Sequence, residues 1–169
     1  YLADTREKLE SRIYGHADAK DQILRTLAKW AANPCSRGNV IGIEGPMGCG
    51  KTTLVKECIA AALGLPFSQI ALGGMNDASV LRGHSYTYEG SMHGCLVGAL
   101  VSADCMNPVI LFDELDKVGG SHGEDGKAGE VSATLIYATD PAQNESFHDH
   151  YFGDVPIDLS RAIMVFTYN

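Results

Sequence analysis

Three features are missing from this sequence, and each absence narrows what the chain can do. No apolar run comes near the roughly 18 residues a membrane span needs. No CxxC pair occurs, and the five cysteines (Cys35, Cys49, Cys58, Cys95, Cys105) are odd in number, without a partnering histidine spacing. That argues against a disulfide framework or a zinc site and reads as the reduced thiols of an intracellular protein. Lysine and arginine form no cluster: 13 basic residues stand against 21 acidic ones, a formal charge of −8. The basic face that broad nucleic-acid binding requires is therefore not expected. A signal peptide is also missing, and the chain opens on Tyr1 rather than Met, so the native start is expected to lie upstream.

What is present fits one domain. The 169 residues are 45% hydrophobic, enough for a sizeable core. "GHADAKDQILRTLAKWAANP" (15–34) carries Ile23, Leu24, Leu27, Ala28 and Ala31 on one helical face and ends before Pro34. "NVIGIEG" (39–45) reads as a buried strand. "KTTLVKECIAAALG" (51–64) reads as a helix with Leu54, Val55, Cys58, Ile59, Ala62 and Leu63 inward, closed by Gly64. Further strands are expected at "FSQIAL" (67–72), "VILF" (109–112) and "AIMVFTY" (162–168), and further helices at "CLVGALVSA" (95–103) and "EVSATLIYA" (130–138). Apolar strands alternating with helices predict an α/β fold of three layers, a parallel sheet covered on both faces. Two stretches resist assignment. "LGGMNDASVLRGHSYTYEGSMHG" (72–94) holds too many glycines for a helix, and "GGSHGEDGKAG" (119–129) reads as a flexible polar loop.

One motif carries chemistry by itself. "GPMGCGKT" fits G-x-x-x-x-G-K-[ST] and lies between a predicted strand and a predicted helix, the context a phosphate loop needs. Gly45, Pro46, Met47, Gly48, Cys49, Gly50, Lys51 and Thr52, with Thr53 following, form the candidate ATP site. Backbone N–H groups and the helix N-terminus would cradle phosphates, Lys51 would reach the β- and γ-phosphates, and the Thr52 hydroxyl would bind Mg²⁺. "VILFDE" delivers Asp113 and Glu114 at the C-terminal end of a strand, where open parallel sheets bind ligands. Asp113 is the candidate metal ligand and Glu114 the candidate base for water, an arrangement favouring hydrolysis over transfer to a hydroxyl. Asn169, at the end of the last strand, is a candidate to orient that water.

These segments together resemble the ATPase module of the Lon family of AAA+ proteases. The resemblance rests on "YGHADAKDQIL" (14–24), the phosphate loop, the 72–94 stretch, "NPVILFDELDK" (107–117), "DPAQNESFHDHY" (140–151) and "VPIDLS" (155–160). The resemblance implies a P-loop NTPase fold, divided here as a helical lead-in over 1–34 and an ATPase core over 35–169. It implies ATP and Mg²⁺ as ligands, a homo-hexamer, and unfolded or damaged proteins as substrates. It makes Tyr88 the aromatic that grips polypeptide in the ring's pore, gives Tyr86 no role, and puts Tyr14 and Gly15 near the adenine. Glu89 replaces the usual aliphatic residue after the gripping aromatic. It also puts the fifth strand, the helical lid, an arginine finger and a Ser–Lys protease domain beyond this chain, and makes the protein cytoplasmic or mitochondrial.

Two other functions fit the phosphate loop. One is a clamp- or helicase-loader type of AAA+ ATPase acting on DNA, against which the acidic balance and the 72–94 stretch count. The other is a nucleotide-binding scaffold without turnover, against which Lys51, Asp113, Glu114 and Asn169 count.

Overall fold

The computed structural model describes residues 2–12, 15, 17–33, 39–87, 89–118 and 125–169. Four strands make its main sheet: β1 Asn39–Glu44, β2 Phe67–Ala71, β3 Val109–Asp113 and β6 Ile163–Tyr168, in the spatial order β1-β6-β3-β2 and all parallel. The other two, β4 Phe147–His148 and β5 Pro156–Ile157, pair antiparallel in a small hairpin. Nothing in the sequence marked that hairpin, because two-residue strands are too short to show a period of two.

Alternate side chains of the central strands feed two cores. Ile110, Phe112, Met164 and Phe166 face one side, where helices Cys95–Ala103 and Asp125–Thr139 cover them. Phe112 and Phe166 stack there with ring centroids 4.7 Å apart. Val109, Leu111, Ile163 and Val165 face the other side, against Leu9, Ile23, Leu27, Trp30, Val55 and Ile59 of the amino-terminal helices and the helix after the phosphate loop. This is the expected three-layer arrangement, and β3 and β6 are buried along almost their whole length.

Three expectations need correction. The strand at 39–45 is not buried: β1 is an edge of the sheet, half-buried at Asn39, Ile41 and Ile43 and exposed at Val40, Gly42 and Glu44. Its apolar run looked two-sided, but only the Ile41–Ile43 face meets a core. Residues 125–129 of the stretch expected as a polar loop belong to a helix that begins at Asp125, and residues 119–124 lie outside the described residues. The 72–94 stretch does contain a helix, one turn at Ser79–Arg82 that buries Leu81 and ends at Gly83.

The helix following the phosphate loop is also not uniform. It runs as Lys51–Thr53, then π-helical over Leu54–Ala60, then Ala61–Leu63, and stops at Gly64 in the left-handed region, φ 66°. Seven residues of π geometry are unusual and tend to occur beside functional sites. Val55, Cys58, Ile59 and Ala62 face inward as the pattern predicted, while Leu54 and Leu63 are half-buried.

Candidate functional site

At the carboxyl end of the sheet three distant pieces of chain enclose one cavity of about 340 Å³. Residues 47–53 of the phosphate loop form one wall, Asp113 and Glu114 at the end of β3 a second, and Thr167, Tyr168 and Asn169 at the end of β6 the third. Gly48 and Gly50 have φ values of 77° and 85°, and a Cβ at either would meet nothing within 4 Å. Glycine is needed there for the backbone turn, since side chains rarely adopt that region. Gly50 caps the helix without any side-chain hydrogen bond, so no side chain occupies the positive end of its dipole.

The polar side chains of the cavity are tied to one another. Lys51 Nζ donates to the carbonyls of Gly45 and Pro46, the latter at 3.2 Å, and to Asn169 Oδ1 at 2.8 Å. Asn169 in turn donates from its backbone N to Asp116 Oδ1 at 3.2 Å and from Nδ2 to Asp116 Oδ2 at 3.3 Å. Those bonds outweigh the local desolvation that by itself raises a carboxyl, and leave Asp116 below the usual carboxylate value. Asp113 accepts from Thr167 Oγ1 at 2.5 Å, from the Glu114 N–H at 3.1 Å and from Gln69 Nε2 at 3.2 Å.

Glu114 sits at φ 62°, in the left-handed region that a non-glycine residue enters at a cost. Its carboxylate pairs with Lys117, which lifts the Lys117 ammonium above the usual lysine range. The same carboxylate lies against Gly73, where a Cβ would stand only 2.0 Å from Oε2. Any larger residue at 73 would displace Glu114.

The residues present suit a magnesium ion. Among the described residues no group of three or more His, Cys, Asp or Glu is placed to hold a metal by itself. Mg²⁺ asks for less from the protein: one or two hard oxygens, with substrate phosphates and waters supplying the rest. Thr52 and Asp113 line the same cavity and offer one hydroxyl and one anchored carboxylate.

Beside the cavity, sharing Cys49, Gly50 and Lys51 with it, lies a smaller recess of about 160 Å³ lined also by Ala19, Ile43, Glu44, Gly45, Pro46 and Leu54. Gly45 and Pro46 thus lie on the side wall of the loop. Gly15 is not at the phosphate cavity. It is exposed and borders a separate cleft of about 310 Å³ between the first two helices, with Arg6, Leu9, Glu10 and Leu24. Tyr14 and Tyr88 lie outside the described residues. Glu89 is exposed, away from the cavity.

Sequence reasoning had passed over Thr167, Asp116, Lys117, Gln69 and Gly73, all of which support an expected site residue. One had a visible mark: Thr167 is the polar residue between the apolar run 162–166 and Tyr168, and it is fully buried. Asp116 and Lys117 follow Glu114 in what reads as an ordinary solvated turn, and only the folded chain brings Asp116 to Asn169.

Comparison with known proteins identifies the family. The family model described as "ATPase family associated with various cellular activities (AAA)" matches residues 41–167. A Lon protease homolog of Acanthamoeba polyphaga mimivirus is 41% identical over 170 residues, covering 100% of this chain and 16% of that protein. Lon protease homolog 2, peroxisomal, of Arabidopsis thaliana is 43% identical over 168 residues, 99% of this chain and 18% of the relative. A mitochondrial Lon protease homolog of Yarrowia lipolytica is 42% identical over 168 residues, 99% of this chain and 14% of the relative. The chain therefore spans less than a fifth of these relatives, two of which are named for different compartments, peroxisomal and mitochondrial.

Proposed function

This chain belongs to the AAA family of ATPases, and from that premise we propose that it binds Mg·ATP at residues 45–53 and hydrolyses the γ-phosphate to drive polypeptide movement, as one module of a Lon-like ATP-dependent protease. The observation that carries the proposal is the cavity in which a phosphate loop, two carboxylates and an asparagine converge from segments more than fifty residues apart. Phosphoryl transfer asks a protein chiefly for positioning and charge stabilisation, and these are the groups that supply both.

The loop amides and the uncapped helix start would hold the phosphate oxygens. Lys51 would exchange its protein partners, the Gly45 and Pro46 carbonyls and Asn169 Oδ1, for oxygens of the β- and γ-phosphates. Thr52 and Asp113 would hold the Mg²⁺, which when bound neutralises charge on the phosphates. Glu114 would accept a proton from the attacking water once its carboxylate leaves Lys117, and Asn169 would orient that water. The recess lined by Ile43, Pro46 and Leu54 offers an apolar slot for the base. Residues 1–34 would serve as lead-in to the core at 35–169. Tyr88 and Glu89 would present the loop tip to polypeptide in the pore of a homo-hexamer.

Calorimetry with Mg·ATP and Mg·ADP tests the site. The wild-type protein should take up both, and Lys51→Ala should lose ATP binding by about two orders of magnitude or more, as expected when a charged partner of the phosphates is removed. Equal affinity in the variant would overturn the assignment.

A further inference from the structure

Among the described residues one carboxylate with no part in the nucleotide site is fully buried: Asp149, at 0% exposure. It accepts hydrogen bonds from the Gly94 N–H at 2.7 Å through Oδ2 and from the Tyr151 N–H at 2.8 Å through Oδ1. A buried carboxylate is tolerated where backbone donors satisfy it in this way. Its place in the fold gives it a purpose. Gly94 ends the outgoing limb of the 72–94 loop, and the incoming limb is gripped by the same short segment. The His150 N–H donates to the Arg82 carbonyl at 2.7 Å, and the Arg82 guanidinium donates to the His148 carbonyl at 3.3 Å from one nitrogen and 3.4 Å from another. His93 stacks on Phe152, ring centroids 6.5 Å apart.

The two limbs also touch each other with no space between them. A Cβ on Gly94 would lie 2.0 Å from the Leu81 carbonyl oxygen, and one on Gly83 would lie 2.7 Å from both Asp149 Oδ1 and the Gly94 nitrogen. Above this neck, the His84 N–H donates to the Met92 carbonyl at 3.1 Å. Beyond it the chain is open: Tyr86 is 70% exposed and Met92 66%. The loop is thus a free tip on a closed neck, and the 148–152 segment fastens both sides of that neck.

We propose that Asp149 is a positioning residue for the 72–94 loop. Its bond to the Gly94 N–H ties the outgoing limb to the 148–152 segment, whose His148 and His150 hold the incoming limb at Arg82, so that the loop tip is carried on a stiff stalk and delivers force to a bound polypeptide instead of folding back. This deepens the reading of the loop as the polypeptide-contacting element and rests on it. A flexible stalk would let the tip yield under load. Asp149 does not line the nucleotide cavity, so nucleotide turnover without polypeptide would be unaffected.

The test uses the full-length protein with Asp149→Asn, which keeps one acceptor oxygen and turns the other position into a donor facing a backbone N–H. Amide hydrogen exchange should speed up about tenfold or more at Gly94, Tyr151 and His84, as expected when a hydrogen bond to a charged group is lost. ATP turnover without polypeptide should stay within about twofold, while KM for an unfolded polypeptide rises or its processing rate falls about tenfold. If Asp149→Asn does not fold, Arg82→Met, which removes the donors to the His148 carbonyl, carries the test with the same expected pattern. Unchanged exchange overturns the lock. Faster exchange with unchanged polypeptide processing overturns the positioning role. A Tyr88→Ala variant assayed in parallel separates the two ideas: if it too processes polypeptide normally, the loop's role fails, whatever Asp149 does to the neck.

Discussion

In the phosphate cavity the charged side chains and the asparagine are each held by another side chain: Lys51 by Asn169, Asn169 by Asp116, Asp113 by Thr167 and Gln69, Glu114 by Lys117. At the tip of the 72–94 loop the described residues are more open, with Tyr86, Thr87, Glu89 and Gly90 exposed, while the neck is fastened by backbone bonds. The difference follows from the work proposed for each. Stabilising charge that develops on a phosphate needs donors already in place, because reorganising them during the reaction costs part of the gain. Contact with many unrelated polypeptides needs accessible surface, and fixing each side chain would narrow what it accepts. Order is concentrated where chemistry would occur, and exposure where contact would occur.

Glu114→Gln should produce the largest break in that contrast. The amide keeps the side chain's size but cannot take a proton, and loss of a positioned general base lowers turnover by about 10²–10⁴-fold. Mg·ATP affinity should stay near the wild-type value, since Glu114 lies beside the phosphates and not among the groups proposed to hold them. Steady-state hydrolysis and calorimetry on the same preparation read both numbers. Undiminished turnover would remove Glu114 from the base role and leave its left-handed backbone without a functional account.

A pair of glycine substitutions sharpens the contrast inside the loop. Gly94 lies in the neck at an ordinary φ of −68°, so the only obstacle to alanine is the Leu81 backbone 2.0 Å from the new Cβ. Backbone cannot move aside cheaply, and overpacking of this kind costs about 1–3 kcal/mol or more. Gly90, at the tip, has φ 76° and nothing within 4 Å of a Cβ. There the cost of alanine is conformational alone, about 1 kcal/mol. Gly94→Ala should therefore lower the midpoint of urea unfolding clearly more than Gly90→Ala. Equal midpoints would mean the neck is looser than its contacts indicate.

The amount of this that could be read from the sequence follows a physical line. The phosphate loop, the strand ending in Asp113–Glu114 and the buried β3 and β6 were legible, because local chain chemistry dictates them: glycines where φ must be positive, unbroken apolar runs where both faces are covered. β1 misled because an apolar run does not reveal whether a neighbouring strand or helix covers its second face. The helix at Ser79–Arg82 was hidden by the glycines of the stretch, one of which, Gly83, closes its C-terminal end. Supporting partners such as Asp116 for Asn169 were invisible, being 53 positions apart in sequence and joined only by the parallel packing of β3 beside β6. Asp149 had no reading of its own within "FHDHY"; nothing short of the fold shows it buried.

Asp116→Ala offers the smallest effect and the finest probe of the tethered cavity. Asp116 takes both N–H groups that Asn169 presents, and so decides which way the amide turns: nitrogen toward Asp116, oxygen toward Lys51. Without it the amide can rotate, though Lys51 still holds the oxygen at 2.8 Å. Because Asp116 is open to solvent, its hold is screened, and turnover should fall only about two- to fivefold, with Mg·ATP affinity unchanged. The same exposure makes the effect salt-dependent. The gap between wild type and variant should narrow as ionic strength rises, since screening weakens the wild-type contact toward the level of the variant. A gap that stays constant with salt would mean that Asp116 acts through the backbone of the turn it shares with Lys117, and not through its charge on Asn169.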